Sequence, residues 1–106
     1  MSSIFTKIIN KEIPAEIVYE QDDIIVIKDI NPQVKTHLLI IPKKEIPTIN
    51  DLAESDRNLI AEMFFVAKKI AKDLGVEEWY KLKFNVGEKW GQEVFHIHLH
   101  LLSDIK

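Results

Sequence analysis

From Phe95 to Leu101 the chain reads Phe-His-Ile-His-Leu-His-Leu, and three of its four histidines fall in that short run. In a strand, successive side chains point to opposite faces. His96, His98 and His100 therefore share one face, and Phe95, Ile97, Leu99 and Leu101 the other. Neighbouring imidazoles along such a strand lie about 6.5 to 7 Å apart. The apolar face anchors the strand in a core and leaves the imidazole face for chemistry. A single strand histidine is ordinarily a hydrogen-bonded or exposed side chain, whereas packing does not explain three in strict alternation, and clustered titratable groups point to a site. Two chemistries use such a face. Three neutral imidazoles can hold zinc with an open fourth position; alternatively one imidazole attacks while its neighbours orient it or move protons.

The rest of the chain supplies a frame for that strand. Ser2 or Ser3 can cap a short helix in which Ile4, Phe5, Ile8 and Ile9 recur at one-turn spacing, and Pro14 stops it. Residues 16–20 and 24–28 are β-branched runs joined by Gln21-Asp22-Asp23, as in a hairpin. Asp29-Ile30-Asn31-Pro32-Gln33 is turn chemistry, and a third strand spans 37–41 and ends at Pro42. Residues 43–55 read as loop with one helical turn near 50–53. A long helix is predicted over 56–74, with Leu59, Ile60, Met63, Phe64, Ala67, Ile70, Ala71 and Leu74 on one stripe, Gly75 at its end, and Lys68, Lys69 and Lys72 suiting its negative end. Strands over 80–86 and 94–102 flank a loop containing Gly87, Trp90 and Gly91. Connections are too short for parallel crossovers except the one carrying the long helix. The expectation is an α+β fold with a five-stranded antiparallel sheet, a short N-terminal helix and one long helix. A sheet edge and a helix face remain to be covered, which a symmetric dimer would do.

Composition removes several classes of function. A length of 106 residues suits one domain, expected over 1–106. Fourteen Lys plus Arg against seventeen Asp plus Glu leave a net charge of −3, with no excess of positive charge to drive phosphate-backbone binding, so no nucleic-acid partner is expected. The absence of cysteine excludes disulfides, thiolate metal sites and thiol nucleophiles. The first residues lack the charged start and apolar stretch of a signal peptide, and no membrane-spanning run is visible. The expected setting is cytoplasmic, without a membrane partner.

Residues around the histidines favour phosphorus chemistry. Asn85-Val86-Gly87 and Gly91-Gln92 offer amide donors and close backbone approach to an anion. Asp29 can cap a turn, and its carboxylate is also suited to accept hydrogen bonds from a ribose diol.

In these residues the chain resembles the histidine triad (HIT) family, specifically its Hint-like branch of nucleoside phosphoramidate hydrolases. The alternating signature fits His96-Ile97-His98-Leu99-His100-Leu101-Leu102 throughout. Further matches are Ile4-Phe5 with Lys7-Ile8-Ile9, Glu12-Ile13-Pro14, Asp29 to Gln33, His37 with Ile40-Ile41-Pro42-Lys43, and Asn85 with Gly91-Gln92. The resemblance implies a homodimer whose protomers join into one continuous sheet, and hydrolysis at the α-phosphorus of purine nucleoside phosphoramidates or acyl-nucleotides. It implies His98 as the nucleophile that carries a transient nucleotidyl group, His100 as the phosphate contact that assists proton movement, and His96 and His37 as the rest of the imidazole cluster. It further implies Asn85, Gly91 and Gln92 at the phosphate, Asp29 at the ribose, and Ile4, Phe5, Ile8, Ile27 and Ile30 at the purine. No cofactor and no metal are expected. The related alternatives are a dinucleoside polyphosphate hydrolase, and a nucleotide-binding or protein-interaction module with vestigial activity. The chain departs from the family pattern in four places. Ser3-Ile4-Phe5-Thr6 stands in place of a Cys-x-x-Cys zinc pair, Glu45 in place of a histidine, Trp90 in place of a glycine and Glu93 in place of a serine. A structural zinc is accordingly not expected, and Glu93 brings a carboxylate that disfavours extra phosphates.

Overall fold

The computed structural model describes residues 2–105. Helix α1 spans Ile4–Ile9, strands β1, β2 and β3 span Ile17–Glu20, Ile24–Lys28 and Thr36–Pro42, helix α2 spans Arg57–Leu74, and strands β4 and β5 span Lys81–Lys83 and Leu99–Ser103. The sheet runs β1-β2-β3-β5-β4 with every pairing antiparallel.

Both faces of this sheet are covered, which is why Ile24 to Ile27 and Leu38 to Ile41 read as unbroken apolar runs rather than alternating ones. Ile24, Val26, Leu38, Ile40, Leu99 and Leu101 pack against Met63, Val66, Ala67, Ile70 and Ala71 of α2. On the opposite face Ile25, Ile27, Leu39 and Ile41 pack against Phe5 and Ile8 of α1. His37 and His100 belong to this second face, because the register sets Leu39 opposite His100 and His37 opposite Leu102.

Caps delimit the helices. Ser3 Oγ accepts the Thr6 amide at 3.0 Å, and α1 ends well before Pro14. Gly75 takes the left-handed conformation after α2 at φ 74°. Asp56, expected as the first helical residue, instead closes a 3-10 turn over Glu54–Asp56, where its carboxylate accepts from Ala53 N at 2.8 Å and from Lys44 Nζ at 2.6 Å. The preceding loop contains another 3-10 turn, Ile49–Asp51, capped by Thr48.

The last two strands are shorter than the sequence predicts. Only Lys81–Lys83 and Leu99–Ser103 pair, so His96 and His98 lie in the segment leading into β5. At that end of β3, Pro42 has no amide hydrogen to donate and its carbonyl is taken by the His96 ring at 2.7 Å. Ile97 N turns instead to Ile46 O at 2.8 Å. The expected core side of the run holds for Ile97, Leu99 and Leu101, while Phe95 is exposed. On α2, Phe64 and Leu74 stand partly exposed and Val66 is buried in the core. No helix among the described residues is long and apolar enough to cross a membrane.

Candidate active site

A cavity of about 310 Å³ opens on the α1 face of the sheet. Its apolar wall comes from Ile4, Phe5 and Ile8 of α1, the Ile13-Pro14-Ala15 turn, and Ile27 and Leu39 of β2 and β3. Its polar wall comes from Asp29, His37, His98 and His100, with Asn85, Gly91 and Glu93 from the loop before β5.

Hydrogen-bond partners assign the ring tautomers. The Gln33 amide donates to His37 Nδ1 at 3.1 Å, so the His37 proton sits on Nε2. That proton points to His100 Nδ1 at 2.9 Å, with Asp29 Oδ2 3.4 Å away. His100 Nδ1 is then an acceptor and its Nε2 carries the hydrogen. His100 Nε2 is buried with no protein partner, an uncommitted donor in a ring that lines the cavity. His98 has the opposite tautomer. Its Nδ1 donates to the His96 carbonyl at 2.8 Å, so Nε2 keeps a free lone pair. The two rings lie 4.9 Å apart between centroids. A nucleophilic nitrogen beside an uncommitted N–H donor is an arrangement suited to attack at phosphorus, with the donor meeting charge on the phosphoryl oxygens.

Electrostatics keep these rings neutral. Burial lowers the pKa of His98 below the ordinary histidine value, opposed by its bond to the His96 carbonyl. His100 is pushed down to about 4 by burial, reinforced by His98, His37 and Lys83. His37 is likewise lowered by burial, with Asp29 opposing.

Two expected site residues lie outside the cavity lining. Gln92 is buried, and its side chain is spent on the chain itself: Nε2 donates to Pro47 O at 2.6 Å and Val94 O at 3.1 Å, and Oε1 accepts Gly87 N at 3.0 Å. It holds the loop rather than facing a ligand. His96 is 0% exposed, with Nε2 on Pro42 O and Nδ1 2.6 Å from Ser3 Oγ. Ile30 lines the mouth but is 88% exposed. Asn85 reaches the Gly91 carbonyl at 3.3 Å, so the two loop residues brace each other. Trp90 is also exposed and is not among the lining residues.

Sequence reasoning missed Leu39, although it lies two positions from His37 and so shares its strand face. It also missed Ser3 and Glu45 as neighbours of His96, although the departures from the family pattern at Ser3, Thr6 and Glu45 fall on residues that meet in the structure. Asp29, His37 and His100 bring donor atoms within 4.8 Å of one another and are the group among the described residues able to hold a cation. Near Ser3 the donors are hydroxyls, one carboxylate and one imidazole, a poor match to the sulfur and nitrogen set of a structural zinc.

Comparison with known proteins identifies relatives of the whole chain. A family profile described as "Scavenger mRNA decapping enzyme C-term binding" matches residues 2–106. A purine nucleoside phosphoramidase of Escherichia coli is 48% identical over 102 residues, covering 95% of this chain and 86% of that protein. An uncharacterized HIT-like protein of Synechocystis is 46% identical over 101 residues, covering 95% and 89%. Among solved structures, a HIT family hydrolase from Legionella pneumophila superposes with a TM-score of 0.95 at 50% identity, covering 99% of this chain and 95% of that one.

Proposed function

The chain belongs to the histidine triad family of hydrolases, and on that footing we propose that it hydrolyses purine nucleoside phosphoramidates or acyl-nucleotides through a nucleotidyl-His98 intermediate. The observation that carries the reading is the pairing of an open lone pair on His98 Nε2 with the unpartnered Nε2–H of His100. In the first step His98 Nε2 attacks the α-phosphorus and the bond from phosphorus to the leaving nitrogen or acyl oxygen breaks. His100 donates a hydrogen bond to the phosphate through its Nε2–H and keeps that proton, while a departing nitrogen takes up a proton from solvent. Water then attacks the same phosphorus and the His98–phosphorus bond breaks, which releases the nucleoside monophosphate, returns a proton to solvent and restores the imidazole. His37 holds His100 in its tautomer, and Asp29 faces the ribose hydroxyls. Ile4, Phe5, Ile8, Ile27 and Ile30 take the purine, while Asn85 and Gly91 take the phosphate side. His96 acts by accepting the His98 proton donor on its carbonyl.

The same reading takes residues 1–106 as one domain, cytoplasmic, paired with a second copy and needing no metal. The exposed carboxylate of Glu93 in the lining favours a phosphoramidate over a dinucleoside polyphosphate, whose extra phosphates it repels.

Rapid-quench turnover with a labelled phosphoramidate is expected to trap nucleotide attached to protein. His98→Ala should lose the adduct and at least about a thousandfold in kcat, as removal of a covalent nucleophile does, with circular dichroism unchanged. An adduct that persists in this variant, or turnover near wild type, overturns the mechanism.

A further inference from the structure

Outside the cavity lining, four side chains meet where the start of α1 touches the histidine segment. Glu45 Oε1 accepts from Ser3 N at 2.9 Å and from Thr6 Oγ1 at 2.6 Å. Ser3 Oγ accepts from Thr6 N at 3.0 Å and lies 2.6 Å from His96 Nδ1. On the far side of the same ring, Nε2 meets the Pro42 carbonyl at 2.7 Å. A carbonyl can only accept, so His96 carries its hydrogen on Nε2 and Nδ1 must receive the Ser3 hydroxyl proton. The ring has no exposed surface, so water cannot replace that donor. We propose that the Ser3 hydroxyl, braced by Glu45, fixes the ring of His96 and thereby orients His98 for attack, making Ser3 a positioning residue for nucleotidyl transfer as well as a helix cap.

The coupling runs through two contacts. The His96 carbonyl takes the Nδ1–H of His98 at 2.8 Å, and this bond leaves His98 Nε2 free to attack. Phe5, two residues after Ser3, sets its ring edge-on to both imidazoles, with centroids 5.7 Å from His96 and 5.0 Å from His98. At six residues α1 is too short to hold its place by helix formation alone. The clamp therefore seats the helix and the nucleophile together.

The functional part of this inference rests on the phosphoramidase reading, so the test has one arm that depends on turnover and one that does not. Nitrogen-15 NMR of the histidine rings at neutral pH should show His96 as the Nε2–H tautomer, and in Ser3→Ala that signature should weaken or exchange. A wild-type His96 protonated on Nδ1 overturns the proposal regardless of activity. In single-turnover kinetics Ser3→Ala is expected to slow nucleotidylation of His98 about tenfold or more while KM moves less than about threefold, the signature of a misplaced attacking group. Ser3→Thr, which restores both hydroxyl and cap, should recover most of the rate. Ser3→Asp keeps a strong cap but offers no proton to Nδ1, and should stay slow with α1 intact. A wild-type rate in Ser3→Ala, or Thr no better than Ala, overturns the positioning role. A wild-type protein that hydrolyses no phosphoramidate, yet shows the predicted tautomer, overturns the functional reading and not the clamp.

Discussion

A histidine attacks phosphorus only while its ring nitrogen is unprotonated, so in the proposed mechanism the pH at which His98 gains a proton sets the acid limit of the reaction. Burial moves that point below the ordinary 6.5, and His100 is taken down to about 4. A lowered native pKa keeps the ring neutral further into acid. The expected kcat/KM profile is therefore flat down to about pH 6.5 and declines only below it. The same shifts act on stability. In the unfolded chain these rings take up protons near 6.5, and in the native protein only at lower pH. Their stabilising contribution is complete above 6.5 and is lost as pH falls toward 4. Paired pH series of kcat/KM and melting temperature check both halves, and an activity midpoint above 6.5 would contradict the neutral, buried nucleophile. At this scale the sequence already names His98 and His100, because alternation alone puts them on one face. Their opposite tautomers were not legible there, since they depend on a backbone carbonyl and on a ring from β3.

The loop before β5 is the element that brings Asn85 and the Gly91 backbone to the polar wall of the cavity, where the proposed reaction places the phosphate. Gly91 adopts φ 94°, and a Cβ there would lie 3.3 Å from Asn85 Nδ2. Gly87 has a similar φ of 87° but nothing within 4 Å of its Cβ position. Gly87→Ala therefore carries the backbone strain alone, about 1 kcal/mol, while Gly91→Ala adds displacement of Asn85. The expected outcome is a loss of melting temperature in both variants, the larger in Gly91→Ala, with a several-fold rise in KM confined to Gly91→Ala. Equal kinetic effects would argue against phosphate contact through this pair. Element types were readable along the chain: the caps at Ser3 and Gly75, the β2 and β3 runs, and the period of α2 all appear in the structure. The ends of the last strands were not, because Pro42 and the His96 ring stop the pairing, and that competition involves residues far apart in sequence.

For the molecule as a whole, α2 buries one stripe in the core and turns Phe64 and Phe65 outward, the latter 63% exposed, while β4 forms an open sheet edge. Such surfaces fit the proposed pairing with a second copy. Phe65→Lys is expected to shift the mass measured by light scattering from dimer to monomer. A protein that is monomeric before the substitution, or a variant that remains dimeric, would remove this face from the interface. The linear order of residues determined the α+β layering, the long amphipathic helix and the grouping of imidazoles on one face, because each follows from periodicity within a continuous segment. Only the tertiary structure decided that His37 meets His100, that Gln92 serves the loop, that Ser3 Oγ meets His96, and that Glu45 accepts from Ser3 N. Each of those is a hydrogen bond between side chains and partners brought together by sheet registry and loop closure, and no local pattern encodes such a meeting.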